Sequence, residues 1–338
     1  MHKIISFVIS ESPRLKKGAV LEQKPLQSAP QYYESAIPHQ FAMSEEKAMV
    51  GGKEVKFFVR SYPPENFVVE ASIEVDDVFS EKAFKLREEL INACQKISQK
   101  KGGNIGLSEE YSIALVSGYD GDPEQFLNKS EQIAAFLKSE REPLDENEIA
   151  YTLASQIKYS QNDMVIVDWD GSFVFDTKGE IDDIVDLLQT ANLQLLRYRA
   201  LDYDLDNKLA RINKFTQNPD TKIISFKRKD IESAFQEVIQ ARSKAIAEFE
   251  TIDRDIKLIG DWYSARLYGL ASKKYKLEEW RRVVKEKLDS LEDIYSIVSE
   301  NFSISRTHLM ELIQIILFFV LQVGWFALII LEIFYYTR

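Results

Sequence analysis

The sequence predicts an α+β protein in three parts: an N-terminal mixed domain, then long coiled-coil-like helices, then one C-terminal transmembrane helix. The first half contains several runs of β-branched and aromatic residues and two amphipathic helical patterns. A heptad repeat of apolar residues begins after Gly179, and an uncharged apolar run occupies 312–331. We therefore divide the chain into an irregular segment (1–50), an α+β domain (51–178), a helical bundle or coiled coil (179–306) and a membrane helix (309–336).

The composition is that of a globular protein. The 338 residues are 45% apolar, 29% charged and 12% aromatic, so neither disorder nor a disulfide scaffold describes the whole chain. The single cysteine, Cys94, cannot form a disulfide within the chain. The net charge of −11 opposes nonspecific binding to nucleic acid, and we expect no nucleic-acid partner.

The first fifty residues lack sustained periodicity and contain Pro13, Pro25, Pro30 and Pro38, which favours an irregular segment. Beyond the Gly51-Gly52 pair the pattern becomes regular. Strands are predicted at 55–60, 67–75, 111–117, 148–159, 164–168 and 172–176. Helices are predicted at 80–101, with Ser80 as the N-cap, and at 123–138.

A heptad repeat that starts at Ile181 predicts a long helix with a packed seam. Nine of its ten a and d positions are apolar, as in a coiled coil or a helical hairpin. The residues that define this helix seam are Ile181, Leu188, Leu195, Leu205, Leu209 and Ile212. The helix is expected to end near Asn218-Pro219, because proline cannot continue it. Similar patterns at 231–259 and 277–298 predict an antiparallel bundle.

The run from Leu312 to Leu331 carries no charge, and its only polar side chains are Gln314 and Gln322. Twenty helical residues span about 30 Å, the thickness of a bilayer's hydrocarbon core. We therefore predict a single-pass membrane anchor marked by Leu312, Trp325 and Leu331. The start of the chain has only a short apolar stretch without a cleavage pattern, so we expect the body to stay in the cytoplasm.

The segment VIVDWDGSF at 165–173 resembles the first motif of the haloacid-dehalogenase-like phosphatases. That resemblance implies Asp168 as nucleophile and Asp170 as acid/base, with a magnesium ion. The alternative is a β-hairpin through Trp169-Asp170-Gly171, since an Asp-Gly turn between apolar runs is typical of hairpins. We favour the hairpin, because a heptad helix follows where that family has alternating strands and helices. The three histidines are scattered without partners at ligand spacing, so no metal and no cofactor are expected.

The last third of the chain has a distinctive series of residues, which are Trp262-Tyr263, Leu267-Tyr268, Leu277, Trp280 to Val284, Lys287-Leu288 and Met310 to Ile313. In this layout the chain is similar to the required-for-meiotic-nuclear-division family, whose members are also called Sad1-interacting factors. The similarity covers residues 110–336. It implies a membrane-associated, oligomeric scaffold that faces the cytoplasm or the mitochondrial matrix and has no established enzyme activity. The start lacks the Arg- and Ser-rich pattern of a mitochondrial address, so a prokaryotic plasma membrane is favoured over a mitochondrial inner membrane.

Together these features predict a membrane-anchored, cytoplasm-facing oligomeric scaffold or interaction protein without catalytic activity. Its expected partners are the lipid bilayer, further copies of the same chain and a protein that the sequence does not identify. One alternative is a subunit of an oligomeric ion channel or transporter, which ion flux in liposomes would reveal. The other is a membrane-tethered, metal-dependent phosphatase that uses the Asp168–Asp170 motif, which Asp168→Asn would inactivate.

Overall fold

The computed structural model describes residues 2–12, 19–20, 40–63, 65–216, 236, 239–240, 242–247, 249–250 and 262–336. The chain divides into two compact units, each made of two stretches. The first unit comprises Met1–Leu205 and Ala245–Lys285. The second comprises Asp206–Lys244 and Glu286–Arg338.

A nine-stranded sheet forms the centre of the first unit among the described residues. Its strands are β1 (His2–Glu11), β2 (Ala19–Val20), β3 (Phe41–Val50), β4 (Lys53–Tyr62), β5 (Asn66–Val75), β6 (Ser108–Val116), β7 (Gln156–Ile157), β8 (Asp163–Val167) and β9 (Gly171–Asp176). They lie in the order β2-β3-β4-β5-β1-β6-β9-β8-β7. Neighbouring strands are antiparallel except β6 and β9, which run parallel.

The described helices join this sheet into a mixed α+β fold, as the sequence predicts. They are α1 (Glu81–Lys100), α2 (Ser130–Lys138), α3 (Glu146–Leu153), α4 (Asp182–Thr216), α5 (Trp262–Lys274) and α6 (Leu277–Tyr336). A 3₁₀ helix at Pro123–Lys129 precedes α2, where the sequence predicted one continuous helix. The predicted cap of α1 is confirmed, since the Ser80 hydroxyl accepts a hydrogen bond from the Ala83 N–H.

Strand β1 lies inside the sheet between β5 and β6 and is antiparallel to both. All of its residues from 4 to 10 are buried. The prediction of an irregular segment over 1–50 is therefore wrong for β1, and also for β3. A strand that is covered on both faces has no polar face, so its sequence does not alternate as the exposed strands do.

Both faces of the sheet are covered within the first unit. On one face, Ile4 of β1 packs in the same apolar cluster as Leu90 of α1. On the other face, the ring of Phe7 lies 5.6 Å from the ring of Tyr111 on β6. The Tyr111 ring in turn lies 5.9 Å from the ring of Tyr275, which directly follows α5. The sheet is therefore the middle layer of three.

The predicted strand at 148–159 is wrong, because Glu146–Leu153 is helix α3 and only Gln156–Ile157 pairs as a strand. The carboxylate of Asp145 accepts a hydrogen bond from the Asn147 N–H at 2.9 Å and caps the helix. Glu146 and Glu148 lie in the first turn, where negative charge stabilises the helix dipole. These capping signals were present in the sequence and outweigh the strand-like residues that follow.

Helix α4 is buried on all sides over residues 187–198. The seam residues Ile181, Leu188, Leu195 and Leu205 are buried, Leu209 is half-buried, and the side chain of Ile212 lies outside the described residues. A two-stranded coiled coil buries only one narrow face, whereas polar Gln189 and Asn192 are buried here as well. The seam residues up to Leu205 thus lie on a helix that is also covered outside its seam, and a coiled coil stays a prediction.

In the second unit, ion pairs join charged side chains from separate parts of the chain. The Lys287 ammonium lies 2.7 Å from the Asp206 carboxylate, and the Arg242 guanidinium lies 3.0 Å from the Glu292 carboxylate. Much of the heptad pattern predicted at 231–259 lies outside the described residues. The C-terminal part of α6, Met310–Ile333, is long and apolar enough to cross a membrane, and none of it is buried against the protein.

Replacing Phe173 by alanine tests the aromatic centre of the first unit. The Phe173 ring is fully buried and lies 5.5 Å from Phe79, 5.7 Å from Phe175 and 5.2 Å from Phe136. We expect Phe173→Ala to lower the free energy of unfolding by about 3–5 kcal/mol, because it leaves a cavity. The thermal unfolding midpoint of the detergent-solubilised chain measures the loss. Phe58→Ala is the control, because Phe58 is 42% exposed and its truncation should change the midpoint less.

Candidate functional site

The Asp168–Gly171 segment forms the turn of a hairpin between β8 and β9. Val167 pairs with Ser172 across the hairpin, and the Asp168 N–H donates to the Gly171 carbonyl at 2.9 Å. A Cβ atom on Gly171 would lie 2.9 Å from the Ser112 carbonyl oxygen, so β6 passes too close for a side chain there. The structure thus places the Asp-Trp-Asp-Gly motif in the hairpin that the sequence favoured.

The Asp168 side chain is a buried carboxylate held between two lysines. Its Oδ1 accepts a hydrogen bond from the Trp169 N–H at 2.9 Å and lies 3.3 Å from Lys274 Nζ. Its Oδ2 lies 3.4 Å from Lys138 Nζ. Only 5% of the residue is exposed. Lys138 ends α2 and Lys274 ends α5, so this one carboxylate links both helices to the hairpin.

The two lysines have further partners that balance the charge. Lys138 Nζ lies 2.7 Å from a Glu148 carboxylate oxygen, and Lys274 Nζ lies 4.6 Å from the centre of the Tyr151 ring. Burial lowers the pKa of Lys138, but the Glu148 hydrogen bond and the charge of Asp168 outweigh it and leave the pKa raised. Two ammonium groups therefore face two carboxylates, and the group as a whole is neutral.

Arg87 of α1 lies beneath the same hairpin and is 1% exposed. Its guanidinium donates to the Phe136 carbonyl at 2.5 Å and to the Asp170 carbonyl at 2.8 Å. Burial lowers the pKa of Arg87 to about 10, so the guanidinium stays protonated at neutral pH. Burial also raises the pKa of the Asp170 carboxyl, and the charge of Arg87 opposes that rise. Arg87 thus joins α1, the last turn of α2 and the hairpin through main-chain atoms.

An open depression of about 260 Å³ lies above the hairpin. Its lining residues are Lys138, Glu140, Leu144, Asp168, Trp169 and Asp170. Within the described part of the chain, no group of three or more His, Cys, Asp or Glu side chains is placed to hold a metal ion. The depression therefore contains the partly buried carboxyl of Asp170 beside the carboxylate of Asp168, whose charge is balanced by Lys138 and Lys274.

A second polar cluster joins β4 and β5 to α4, and the sequence did not predict it. Arg60 pairs with Glu70 and donates to Gln189 Oε1 at 3.1 Å. Gln189 Nε2 donates to Glu70 at 2.6 Å, and the Tyr62 hydroxyl donates to Gln189 at 3.0 Å. Burial raises the pKa of Asp186, which lies 3.5 Å from Arg60, while the Arg60 charge opposes it. No motif links these residues along the chain, so only the tertiary structure reveals them.

Two comparisons relate the sequence of this chain to known proteins. The family model described as "Uncharacterized protein MJ0711, N-terminal domain" matches residues 12–182. The chain is also 30% identical over 251 residues to "Uncharacterized protein MJ0711" of Methanocaldococcus jannaschii, which covers 74% of this chain and 72% of that protein. The chain belongs to the MJ0711 family. No solved structure matches it.

The family match locates the shared N-terminal domain in this MJ0711-family chain. Residues 12–182 run from the end of β1 to the start of α4 and include β2 to β9 and α1 to α3. The hairpin, Arg87 and the Arg60–Glu70 pair all lie inside the match. The position of Lys274, in contrast, lies outside it, so the second lysine beside Asp168 comes from beyond the N-terminal domain.

Asp168→Asn tests whether this carboxylate is structural. We expect a loss of about 3 kcal/mol in the free energy of unfolding, because removing one partner leaves Lys274 buried without its counter-charge. The thermal unfolding midpoint of the detergent-solubilised chain measures it. Asp122→Asn is the matched control, since Asp122 pairs with Lys158 at a more exposed site and its replacement should lower the midpoint less. Equal midpoints for the two variants would contradict a structural role.

Asp170→Asn tests the raised pKa of the neighbouring carboxyl. Burial raises the pKa of Asp170 above its ordinary value of 3.8. The folded chain therefore holds this proton more tightly than the unfolded chain, and ionisation costs stability as the pH rises past 3.8. We expect Asp170→Asn to gain stability relative to the parent between about pH 4 and pH 7. The thermal unfolding midpoints of the parent chain and of Asp170→Asn at about pH 4 and about pH 7 check this. A difference between the two midpoints that is the same at both pH values would argue against it.

Proposed function

We propose that this MJ0711-family chain is a membrane-anchored, cytoplasm-facing oligomeric scaffold or interaction protein without catalytic activity. The observation that carries the proposal is the apolar helix Met310–Ile333, none of which is buried inside the described part of the protein. Soluble proteins rarely expose so large a continuous apolar surface. A helix of 24 residues is about 36 Å long, which is enough to cross a bilayer with some tilt.

The anchor continues directly from the body of the protein. Leu277–Tyr336 is one helix of 60 residues, so no separate linker joins the apolar part to the residues before it. Tyr335 and Tyr336 follow the apolar part and are strongly exposed, as aromatic residues at a membrane surface are. The cytoplasmic orientation and a prokaryotic plasma membrane are part of the same proposal.

The scaffold role is supported by the state of the charged groups at the hairpin. Asp168 is neutralised by two lysines, and the guanidinium of Arg87 is occupied by main-chain carbonyls. Such groups hold helices to a sheet rather than attack a substrate. The similarity to the required-for-meiotic-nuclear-division family, and the lipid, homo-oligomeric and protein partners it implies, remain predictions that agree with this role.

Two other functions each have one observation in their favour. Polar residues Gln314, Gln322 and Glu332 within the apolar helix suit a channel subunit, and ion flux through liposomes that contain the chain would support it. The depression beside Asp168 and Asp170 suits a phosphatase. Phosphatase activity that Asp168→Asn abolishes without unfolding the chain would replace the scaffold by an enzyme.

Removing residues 310–338 tests the anchor. We expect the full chain to stay with membranes through alkaline and high-salt washes, and the shortened chain to appear in the soluble fraction. A chain whose residues 312–331 are replaced by alternating leucine and alanine is the control, and it should remain in the membrane.

Protease added to intact, right-side-out cells tests the orientation, and it should leave the body of the protein uncut. A full-length chain in the soluble fraction would refute the anchor, and a digested body would refute the orientation.

A further inference from the structure

The polar residues of the apolar helix share one face. Successive residues of an α-helix are rotated by about 100°, so we place Gln314 at 0°. On that scale Gln322 lies at about 80°, Glu311 at about 60° and Glu332 again at about 0°. These are all of the acidic and amide side chains in Met310–Ile333. We call the helix face that carries them the polar stripe, and this face covers less than a quarter of the helix circumference.

Two members of the stripe lie deep in the predicted membrane. Gln322 is at the middle of Met310–Ile333, and Gln314 lies about 12 Å from it along the helix axis. Both side chains are exposed on the surface of the helix. Lipid tails offer no hydrogen-bond partner, so an amide that faces them loses the bonds that it makes in water. A partner with polar groups at the same depth would restore these bonds.

We infer that the partner on the polar stripe is the same face of a second copy of this chain. Two copies inserted in the same orientation place Gln314 opposite Gln314 and Gln322 opposite Gln322 at equal depth. The amide is both donor and acceptor, so identical side chains satisfy each other across a two-fold axis. The inference rests on the proposed membrane anchor and specifies how its oligomer is held together.

The apolar residues of the stripe fit a packed pair of helices. Phe318 and Trp325 lie seven residues apart along the chain. Their angles around the helix, about 40° and 20°, fall between those of Gln314 and Gln322. This seven-residue spacing is that of two helices that cross at about +20°. A pore would need a polar lining over its whole length, and two large aromatic side chains interrupt this one. A dimer therefore suits the face better than a channel.

Cysteine cross-linking of the full chain in native membranes tests the face directly. Phe318→Cys and Trp325→Cys lie on the stripe, whereas Val320→Cys and Ala327→Cys lie on the opposite side of the helix. The native Cys94 is buried and gives the background. We expect oxidation to cross-link the two stripe variants into dimers and to leave the other two as monomers. Cross-linking mainly at Val320→Cys and Ala327→Cys, or equally at all four, would overturn the inference.

A second measurement tests the glutamines themselves. We expect Gln314→Leu and Gln322→Leu each to weaken dimerisation roughly tenfold, as measured by energy transfer between labelled chains in detergent. Val320→Leu is the control and should leave the dimer unchanged. Full dimerisation of a chain that carries both Gln314→Leu and Gln322→Leu would refute the stripe as the dimer interface but would leave the proposed anchor unaffected. A chain that is found in the soluble fraction would refute the anchor itself, and with it this inference.

Discussion

Burial of β1 on both of its faces is the constraint on which the first unit depends. A strand in the middle of a sheet with two apolar faces needs a layer of protein on each side. Helix α1 provides one layer, and α4 with the segment around Tyr275 provides the other. This requirement explains why α4 is buried where it faces the sheet. Its burial elsewhere comes from further contacts, such as the hydrogen bond that the Tyr268 hydroxyl donates to Gln194.

Two charged side chains that lie where the helices meet the sheet, Asp168 and Arg60, are paired there with groups of opposite charge. Asp168 lies between two lysines, and Arg60 lies between the carboxylates of Glu70 and Asp186. Removing one member of such a group leaves a buried charge, which costs more stability than the intact group contributes. The same charges that resemble a catalytic motif along the chain therefore hold the layers together. Outside this unit, the proposed anchor places the exposed apolar part of α6 in contact with lipid.

Much of the structure that neighbouring residues encode is predictable from the sequence. The β-branched and aromatic residues at 67–75 predict the strand there, and the cap at Ser80 predicts the helix that follows it. Strand β1 is a short apolar run without alternation, which periodicity alone does not assign to a strand. Helix α3 differs from the prediction because the cap at Asp145 outweighs the strand-like residues that follow it. The hairpin at Asp170-Gly171 was found from its turn residues, but its lysine partners were not.

The sequence by itself determined the α+β class, the hairpin turn and the apolar helix at 310–333, because each depends on residues that are neighbours along the chain. Only the tertiary structure decided the strand order, the central place of α4 and the environment of Asp168. The ion pairs of Asp168 join it to Lys138 and Lys274, which come from distant helices. Contacts of that kind leave no periodic signal, since they are made only when separate elements pack.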